Sequence, residues 1–292
     1  MCIRDREIFI VTNYREFLKD KKRIVIKIGS SSLMHSGTGK INLMKVEKLV
    51  RTIVDIKNSG KDVILVSSGA IAVGLNTIGL HERPDDLSVK QACAAIGQAK
   101  LMMVYQKIFA EYSTVAAQVL LTKSAVLNDV TRTNLENTFK ELLHIGAVPV
   151  VNENDSVSTS EIEQLQSFGD NDRLSAIVAS LVGADLLILL SDIDGLYTDD
   201  PNKNPNAKFI RVVEKIDDNL IGMGKNTSGS NVGTGGMASK IMAAQIANNS
   251  GTDMVITNGN NINNIYKIMH GSDVGTLFIQ HKDEKFNILE LI

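Results

Sequence analysis

The sequence predicts an α/β fold with an open, mainly parallel sheet, and two observations support this prediction. Short apolar runs recur along the chain and close on small or polar residues; they begin at Arg23, Asp62, Ala147, Asp185 and Asp253. Such runs are typical of parallel strands that are covered on both faces. Segments with helical periodicity lie between the runs, and this alternation favours right-handed crossovers between neighbouring strands.

The helical segments have recognisable ends. Apolar residues recur at helical spacing in four stretches, 46–54, 135–143, 172–182 and 237–247. Glycines follow the first three and mark their ends: Gly60, Gly146 and Gly183. The stretch 199–209 contains two prolines between apolar strands, which predicts an irregular excursion or hairpin on the surface.

Composition and charge exclude several classes of protein. The 31 basic and 33 acidic residues nearly cancel, so the chain lacks the broad positive field that nucleic-acid binding needs. Cys2 and Cys93 are the only cysteines, too few for a disulfide framework and without the spacing of a zinc site. We find neither an export signal nor a run of roughly 20 apolar residues that could span a bilayer. We therefore expect a cytoplasmic protein that acts on small molecules.

Polar residues gather where the predicted strands end. They are Lys27, Ser67, Ser68, Asn152, Asp155, Ser191 and Asp192. Turns require polar residues, so each one alone has a structural explanation. The carboxyl ends of parallel strands meet at one edge of a sheet, however, and ligands bind there. Their convergence favours a binding site.

Lys27 interrupts an apolar strand between Ile26 and Ile28. A buried ammonium group without a partner is costly, so this side chain needs an acidic neighbour or a bound anion. Alternatively, it extends along the strand end to reach water. Because the sequence GSSS follows directly, a phosphate is the favoured partner. Lys240, in the first turns of a predicted helix, would supply a second cation.

Two glycine-rich stretches are candidates for phosphate binding. SGTGK, ending at Lys40, fails as a P-loop because Met34 stands where the pattern requires glycine and Ile41 where it requires Ser or Thr. VGTGGMASK, starting at Val232, opens a predicted helix whose first N–H groups would face an anion. It also matches a loose dinucleotide fingerprint, but no buried strand precedes it. A flexible loop followed by a helix remains the structural alternative.

Two carboxylates and a carboxamide stand together before a predicted helix, at residues 170–172. Asp170 and Asn171 could cap this helix, but one cap needs only one residue. We therefore expect Asp172 to position two lysines or Mg²⁺. We expect Asn171 and Asp155 to bind a cationic or hydrogen-bonding group of a second substrate.

Together these stretches resemble the amino acid kinase family, and within it the branch that phosphorylates glutamate. The matching stretches are VIKIGSSSL, VSSGAIAVG, KQACAAIGQ, QVLLT, VPVVNENDSV, FGDNDRLSA, LLSDIDGLYT and GTGGMASK, which cover nearly everything from Arg23 to about Phe278. The first strand and the glycine loop belong to the wider family, whereas SSGA with NENDSV and GDND indicates the glutamate branch. The resemblance implies a three-layer α/β/α sandwich around a mainly parallel central sheet.

The resemblance also implies how the chain is divided. Residues 1–22 would form an N-terminal extension and residues 23–292 a single kinase domain. Its acceptor-binding part would span about 23–171 and its nucleotide-binding part about 172–280. The additional C-terminal PUA domain of many members is not expected, as in the short form of these enzymes. The stretch before Phe168 is longer than in compact members, so the substrate loop could differ.

The resemblance further implies the roles of individual residues. Lys27 and Lys240 would contact the transferring phosphates of ATP, and Asp172 would hold both lysines in place. The nucleotide site would comprise Lys27, Ser191, Asp192, Thr234, Gly235, Gly236, Met237, Ala238, Ser239 and Lys240. The glutamate site would comprise Ser68, Gly69, Asn152, Asp155 and Asn171. No residue is assigned as a metal ligand, because Mg²⁺ is expected to bind through the ATP phosphates.

The implied reaction is ATP-dependent phosphorylation of the γ-carboxylate of L-glutamate, the first step of proline biosynthesis. A carboxyl group with a reference pKa of about 4.3 is already ionised at neutral pH and needs no general base. The implied partners are proline as a feedback inhibitor, further copies of the chain in a homo-oligomer, and glutamate-5-semialdehyde dehydrogenase through functional coupling. Nucleic acid and membranes are not expected partners. A family kinase for acetylglutamate or a nucleoside monophosphate, or a catalytically silent amino-acid sensor, remains an alternative.

Overall fold

The computed structural model describes residues 14–80, 82, 84–157, 170–199, 204–226 and 236–291. The strands are β1 (Arg23–Ile28), β2 (Asp62–Ser67), β3 (Ala116–Leu121), β4 (Val148–Glu153), β5 (Leu186–Ser191), β6 (Leu196–Tyr197), β7 (Phe209–Ile210), β8 (Val212–Val213), β9 (Asp253–Asn258) and β10 (Thr276–Phe278). The helices are α1 (Ser30–Leu33), α2 (Leu43–Asn58), α3 (Ala70–Thr77), α4 (Leu87–Glu111), α5 (Lys123–Leu127), α6 (Asp129–His144), α7 (Asn171–Val182), α8 (Asp218–Asn226), α9 (Met237–Asn249) and α10 (Asn263–Met269). Short 3-10 turns cover Phe17–Asp20 and Ile288–Glu290.

Eight of these strands form one sheet, in the order β3-β4-β2-β1-β5-β9-β10-β8. All neighbouring pairs are parallel except β9 and β10, which are antiparallel. Strand β1 lies in the middle, where Lys27 stands opposite Val66 on one side and Leu189 on the other. The predicted mainly parallel sheet is confirmed.

Helices cover both faces of the sheet, as expected for a three-layer sandwich. Val25 belongs to a buried cluster that includes apolar residues of α7 and α9. Ile24 and Ile26 belong to a second buried cluster, with apolar residues of α2, α4 and α10. Successive side chains of a strand point to opposite faces, so Lys27 shares the face of Val25. Its side chain therefore lies on the side of α7 and α9.

The four predicted helices are present, within α2, α6, α7 and α9. Helix α7 begins one residue earlier than expected, at Asn171, and ends at Gly183, whose φ of 59° is the left-handed cap conformation. The predicted hairpin around 199–209 is confirmed by the antiparallel pairing of β6 with β7, which flank it. Residues 200–203 at its tip lie outside the described part of the chain.

The apolar pattern did not predict β3, α3 or α4. Helices α3 and α4 cross at very short range through two glycines. A Cβ atom at Gly74 would lie 1.9 Å from the carbonyl oxygen of Cys93, and one at Gly97 would lie 1.8 Å from that of Ala70. Since α3 starts directly after β2, this contact fixes α4 behind the carboxyl end of β2 and beside that of β4. None of the described helices combines the length and apolarity that a membrane span requires.

Candidate active site

Two lysines from distant parts of the chain meet at one buried carboxylate. Lys27, on β1, places its Nζ 2.6 Å from Oδ1 of Asp172. Lys240, in the first turns of α9, places its Nζ 3.1 Å from Oδ2 of the same residue. The side chain of Asp172 is only 2% exposed, and those of Lys27 and Lys240 are 12% and 7% exposed. Together the three groups carry a net positive charge near the carboxyl ends of the parallel strands.

The start of helix α7 explains the position of Asp172. Asp170 is the N-cap residue, and its Oδ1 accepts hydrogen bonds from the backbone N–H groups of Asp172 and Arg173. The alternative that Asp170 caps this helix is therefore confirmed, whereas Asn171 is its first residue. Capping fixes the first turn, so the side chain of Asp172 is held toward β1.

The two neighbouring carboxyl groups have pKa values shifted in opposite directions. Burial alone would raise the pKa of Asp172, but the ammonium groups of Lys27 and Lys240 outweigh burial and lower it below its ordinary value. Burial raises the pKa of Asp170, and the negative charge of Asp172 raises it further. Asp172 is thus held ionised as the partner of both lysines.

The described residues on the nucleotide side follow β5 and open α9. Ser191 ends β5 and donates a hydrogen bond from its Oγ to Oδ1 of Asp192, at 2.9 Å. Gly236 is the N-cap of α9, and a glycine has no side chain that could cap this helix end. Met237, Ala238 and Ser239 form the first turn, just before Lys240. The first backbone N–H groups of a helix have no partner within the helix, so those of α9 would suit a bound anion.

Two predicted nucleotide-binding residues, Thr234 and Gly235, lie outside the described residues. The longer stretch before Phe168 lies outside them as well. The roles of the described nucleotide-side residues remain predictions.

On the acceptor side, side-chain amides connect three elements. Asn171 Nδ2 donates to Ser68 Oγ at 2.6 Å and to Asn152 Oδ1 at 3.0 Å. Asn152 Nδ2 in turn donates to Gln98 Oε1, also at 3.0 Å. The structure thus brings together Ser68, Asn152 and Asn171, which the sequence placed in one site.

Gly69 and Asp155 complete the predicted acceptor set. Gly69 has a φ of 104° and is the N-cap residue of α3. A Cβ atom there would lie 3.2 Å from Cε of Met34 and 3.4 Å from Cβ of Ser30. Only glycine adopts this conformation without strain, so the residue shapes the turn after β2. Asp155 lies two residues after the end of β4.

The sequence did not identify Gln98 as a site residue. It lies on α4, a helix that the apolar pattern did not predict, and is only 8% exposed. A polar side chain on the buried face of a helix was the available signal, since buried amides need hydrogen-bond partners.

The residues at this edge fit a phosphate-bearing ligand. Two ammonium groups lie close together here and would attract an anion, and the first backbone N–H groups of α9 would add donors. No group of three or more His, Cys, Asp and Glu side chains within the described ranges could hold a metal ion. A magnesium ion that enters with nucleotide phosphates would fit this set.

The fold places two lysines and their shared carboxylate at the carboxyl edge of a parallel sheet, an arrangement that suits a phosphate-bearing small molecule. The amino acid kinase family model matches residues 22–258, and the chain belongs to this family. Among curated relatives, the glutamate 5-kinase of Clostridium perfringens is 49% identical over 92% of this chain and 100% of its own length. The glutamate 5-kinase of Carboxydothermus hydrogenoformans is 52% identical over 93% of this chain and 72% of its own length.

Solved structures share the fold at low sequence identity. Carbamate kinase from Giardia lamblia bound to AMP-PNP superposes with a TM-score of 0.63 at 15% identity, covering 90% of this chain and 100% of that protein. UMP kinase from Bacillus anthracis gives a TM-score of 0.61 at 16% identity, covering 89% of this chain and 96% of that protein. These similarities concern the fold alone.

Proposed function

We propose that this chain is an ATP-dependent glutamate 5-kinase, which phosphorylates the γ-carboxylate of L-glutamate to γ-glutamyl phosphate in the first step of proline biosynthesis. The convergence of Lys27 and Lys240 on Asp172 is the observation that carries the proposal. The identity of 49% with a glutamate 5-kinase over 92% of the chain supports the choice of glutamate.

The chemistry requires alignment and charge neutralisation. The γ-carboxylate is ionised at neutral pH and acts directly as the nucleophile. Phosphoryl transfer spreads negative charge over the equatorial and bridging oxygens. Lys27 and Lys240 would stabilise that charge, and the ionised Asp172 would keep their ammonium groups in place. Magnesium bound to the ATP phosphates would neutralise further charge there.

The remaining residues divide between two substrates in this proposal. Ser68, Gly69, Asn152, Asp155 and Asn171 would bind glutamate. Ser191, Asp192 and the stretch 234–240 would bind ATP. The acceptor-binding part, about 23–171, and the nucleotide-binding part, about 172–280, would meet at Lys27 and Asp172, whose ion pair joins them.

A direct test is to incubate the purified protein with ATP, Mg²⁺ and glutamate, and to trap the acyl phosphate as a hydroxamate with hydroxylamine. We expect hydroxamate with glutamate, and little with aspartate or acetylglutamate. ATP consumption with a nucleoside monophosphate but not with glutamate would indicate another kinase of the family. Binding of glutamate without any turnover would indicate a sensor instead of an enzyme.

We also propose a cytoplasmic homo-oligomer that proline inhibits and that works together with glutamate-5-semialdehyde dehydrogenase. The resemblance to the glutamate branch supports these four points. An acyl phosphate hydrolyses readily, which favours its direct use by this dehydrogenase. Light scattering of the purified protein, and assays with added proline, test the oligomer and the inhibition.

A further inference from the structure

Four polar side chains are hydrogen-bonded one to the next at the proposed acceptor site, and we call this series the amide chain. It starts at Gln98 on α4, passes through Asn152 at the end of β4 and Asn171 at the start of α7, and ends at Ser68 after β2. Gln98 and Asn152 are 8% and 2% exposed. Buried amides of this kind form hydrogen bonds whose direction matters, because each amide has one accepting and one donating end.

A backbone N–H group fixes which side chain donates and which accepts along the amide chain. The N–H of Glu153 donates to Oδ1 of Asn152 at 3.0 Å, and a backbone N–H can only donate. The oxygen of Asn152 must therefore face Glu153 and Asn171, and its NH₂ group must face Gln98. Gln98 presents its oxygen to that NH₂ group, which holds the orientation from the other side.

This direction determines what Ser68 can offer to a substrate. Asn171 uses its NH₂ group for both contacts, one N–H to Asn152 and the other to Ser68. The hydroxyl oxygen of Ser68 is therefore an acceptor toward Asn171, and its own proton remains for another partner. With the reverse orientation, Ser68 would have to donate to Asn171 and would face the substrate as an acceptor.

Two contacts hold α4 in place for this purpose. Next to Gln98, Gly97 approaches the carbonyl oxygen of Ala70 so closely that no side chain fits. Two helical turns after Gln98, the buried hydroxyl of Tyr105 lies 2.9 Å from Oγ of Ser67, the neighbour of Ser68. Helix α4 thus contacts the ends of both β2 and β4 from behind.

We propose that Gln98 is a positioning residue for the acceptor site. It holds the amide of Asn152 in the direction that the backbone N–H of Glu153 sets, so that Ser68 presents a hydrogen-bond donor to a carboxylate of the amino acid acceptor. This inference rests on the proposed function. It adds a residue outside the predicted site and assigns a donor role to Ser68.

The first test is the substitution Gln98→Met, which keeps the length of the side chain and removes the accepting oxygen. We expect the KM for glutamate to rise about tenfold, the scale of one lost hydrogen bond to a charged group. The KM for ATP should stay within about twofold of the original value, because the hydrogen bonds of these four side chains within the described part of the chain involve no residue of the proposed ATP site. Gln106→Met is the matched control, an exposed glutamine on the same helix, and it should change neither constant.

A double-mutant cycle separates positioning from a general loss of structure. Ser68→Ala removes the donor, so Gln98→Met should have little further effect on the KM for glutamate in that background. Fully additive effects of the two substitutions would overturn the inference. If Gln98→Met does not fold, Gln98→Asn withdraws the oxygen while keeping a polar group, and the same results are expected.

The wild-type assay distinguishes this inference from the proposed function. If the wild-type protein forms no hydroxamate with glutamate, the proposed function fails. If the wild-type protein is active and a folded Gln98 variant has an unchanged KM for glutamate, only the role of Gln98 is refuted.

Discussion

Among single residues, Asp172 has the largest influence on the charge of the site. Its carboxylate is buried and faces two ammonium groups, so replacing Asp172 would leave two cations close together, without the carboxylate between them, in a poorly solvated place. The sequence allowed the prediction that Lys27 has an acidic partner or an anion, since a lysine in an apolar strand needs one. It left open whether Asp172 positions two lysines or Mg²⁺; in the structure, its two oxygens contact the ammonium groups of both lysines.

Lys27→Ala should reduce kcat by about 10² or more, the scale for losing one preorganised charge-stabilising donor. The measurement is the rate of hydroxamate formation at saturating ATP and glutamate. Lys21→Ala is a suitable control because Lys21 also forms a shielded ion pair, 2.6 Å from Asp253, near the opposite end of the strands. A Lys27 variant with an intact fold and near-normal kcat would refute the catalytic role.

Asp170→Asn should stabilise the protein at pH 7. Burial and the charge of Asp172 raise the pKa of Asp170 in the folded state. Folding therefore favours the protonated form of Asp170. The stability that this protonated form contributes is fully present below the unfolded pKa of about 3.9, and it is lost as the pH rises through the folded pKa and the carboxyl group ionises. Asparagine keeps the capping oxygen and carries no charge. The gain in Tm should disappear as the pH falls below about 4.

Thermal unfolding of both proteins between pH 4 and pH 8 provides the measurement. Asp86→Asn is the matched control at another helix start. Asp86 is the exposed N-cap of α4, and hydrogen bonds from Ser88 and Val89 lower its pKa, so its charge should favour folding at pH 7. An Asp170 variant that is less stable than wild type at pH 7 would contradict the expected sign.

At the level of secondary structure elements, the contact between α3 and α4 places the acceptor residues. Gly97→Ala would put a methyl group 1.8 Å from the carbonyl oxygen of Ala70, so the helices would have to separate. Overpacking of this kind typically costs about 1–3 kcal/mol. We expect urea denaturation to show a loss of at least this size, with a raised KM for glutamate because Gln98 moves with α4.

The same substitution at an open helical position is the control for Gly97. Gly222 lies in α8, and a Cβ atom there would meet no atom of the described residues within 4 Å. Gly222→Ala should leave stability unchanged or raise it by up to about 1 kcal/mol, through better helix propensity. Equal effects of the two substitutions would show that the close contact at Gly97 has no energetic weight.

The elements differ in how well the sequence predicts them, for physical reasons. Strands β1, β2, β4, β5 and β9 are covered on both faces, so their continuous apolar runs are easily recognised. Strand β3 lies at an edge and is partly exposed, which weakens its pattern. Helix α4 buries a glycine and a glutamine among its apolar residues and exposes Ile96 and Met103 on the other side, so it has no clear apolar stripe.

The site was predictable to a similar extent. Lys27, Asn152 and Ser191 end buried strands, and their position follows from the carboxyl-edge rule for parallel sheets. Gln98 could not be placed in the same way. It lies on α4, and the position of α4 beside the site depends on the close contacts that Gly74 and Gly97 allow between α3 and α4. Such contacts depend on tertiary packing, which the spacing of apolar residues does not encode.

At the level of the whole molecule, the proposed acceptor-binding part (about 23–171) and the proposed nucleotide-binding part (about 172–280) share one sheet and two buried clusters. Strand β1 of the first part pairs in parallel with β5 of the second, from Ile24 opposite Leu186 to Ile28 opposite Leu190. Each cluster contains residues of both parts. Neither part could separate without exposing a central strand and a large apolar face to water.

We therefore expect the two parts to unfold as one cooperative unit. Hydrogen exchange monitored by mass spectrometry, in increasing urea, measures the opening free energy of each strand. The amides of β2, in the acceptor-binding part, and of β9, in the nucleotide-binding part, should share the same opening free energy and the same urea dependence. A lower free energy for β9 alone, with β2 still protected, would show instead that the nucleotide-binding part opens by itself and that the shared sheet does not couple the two substrate sites.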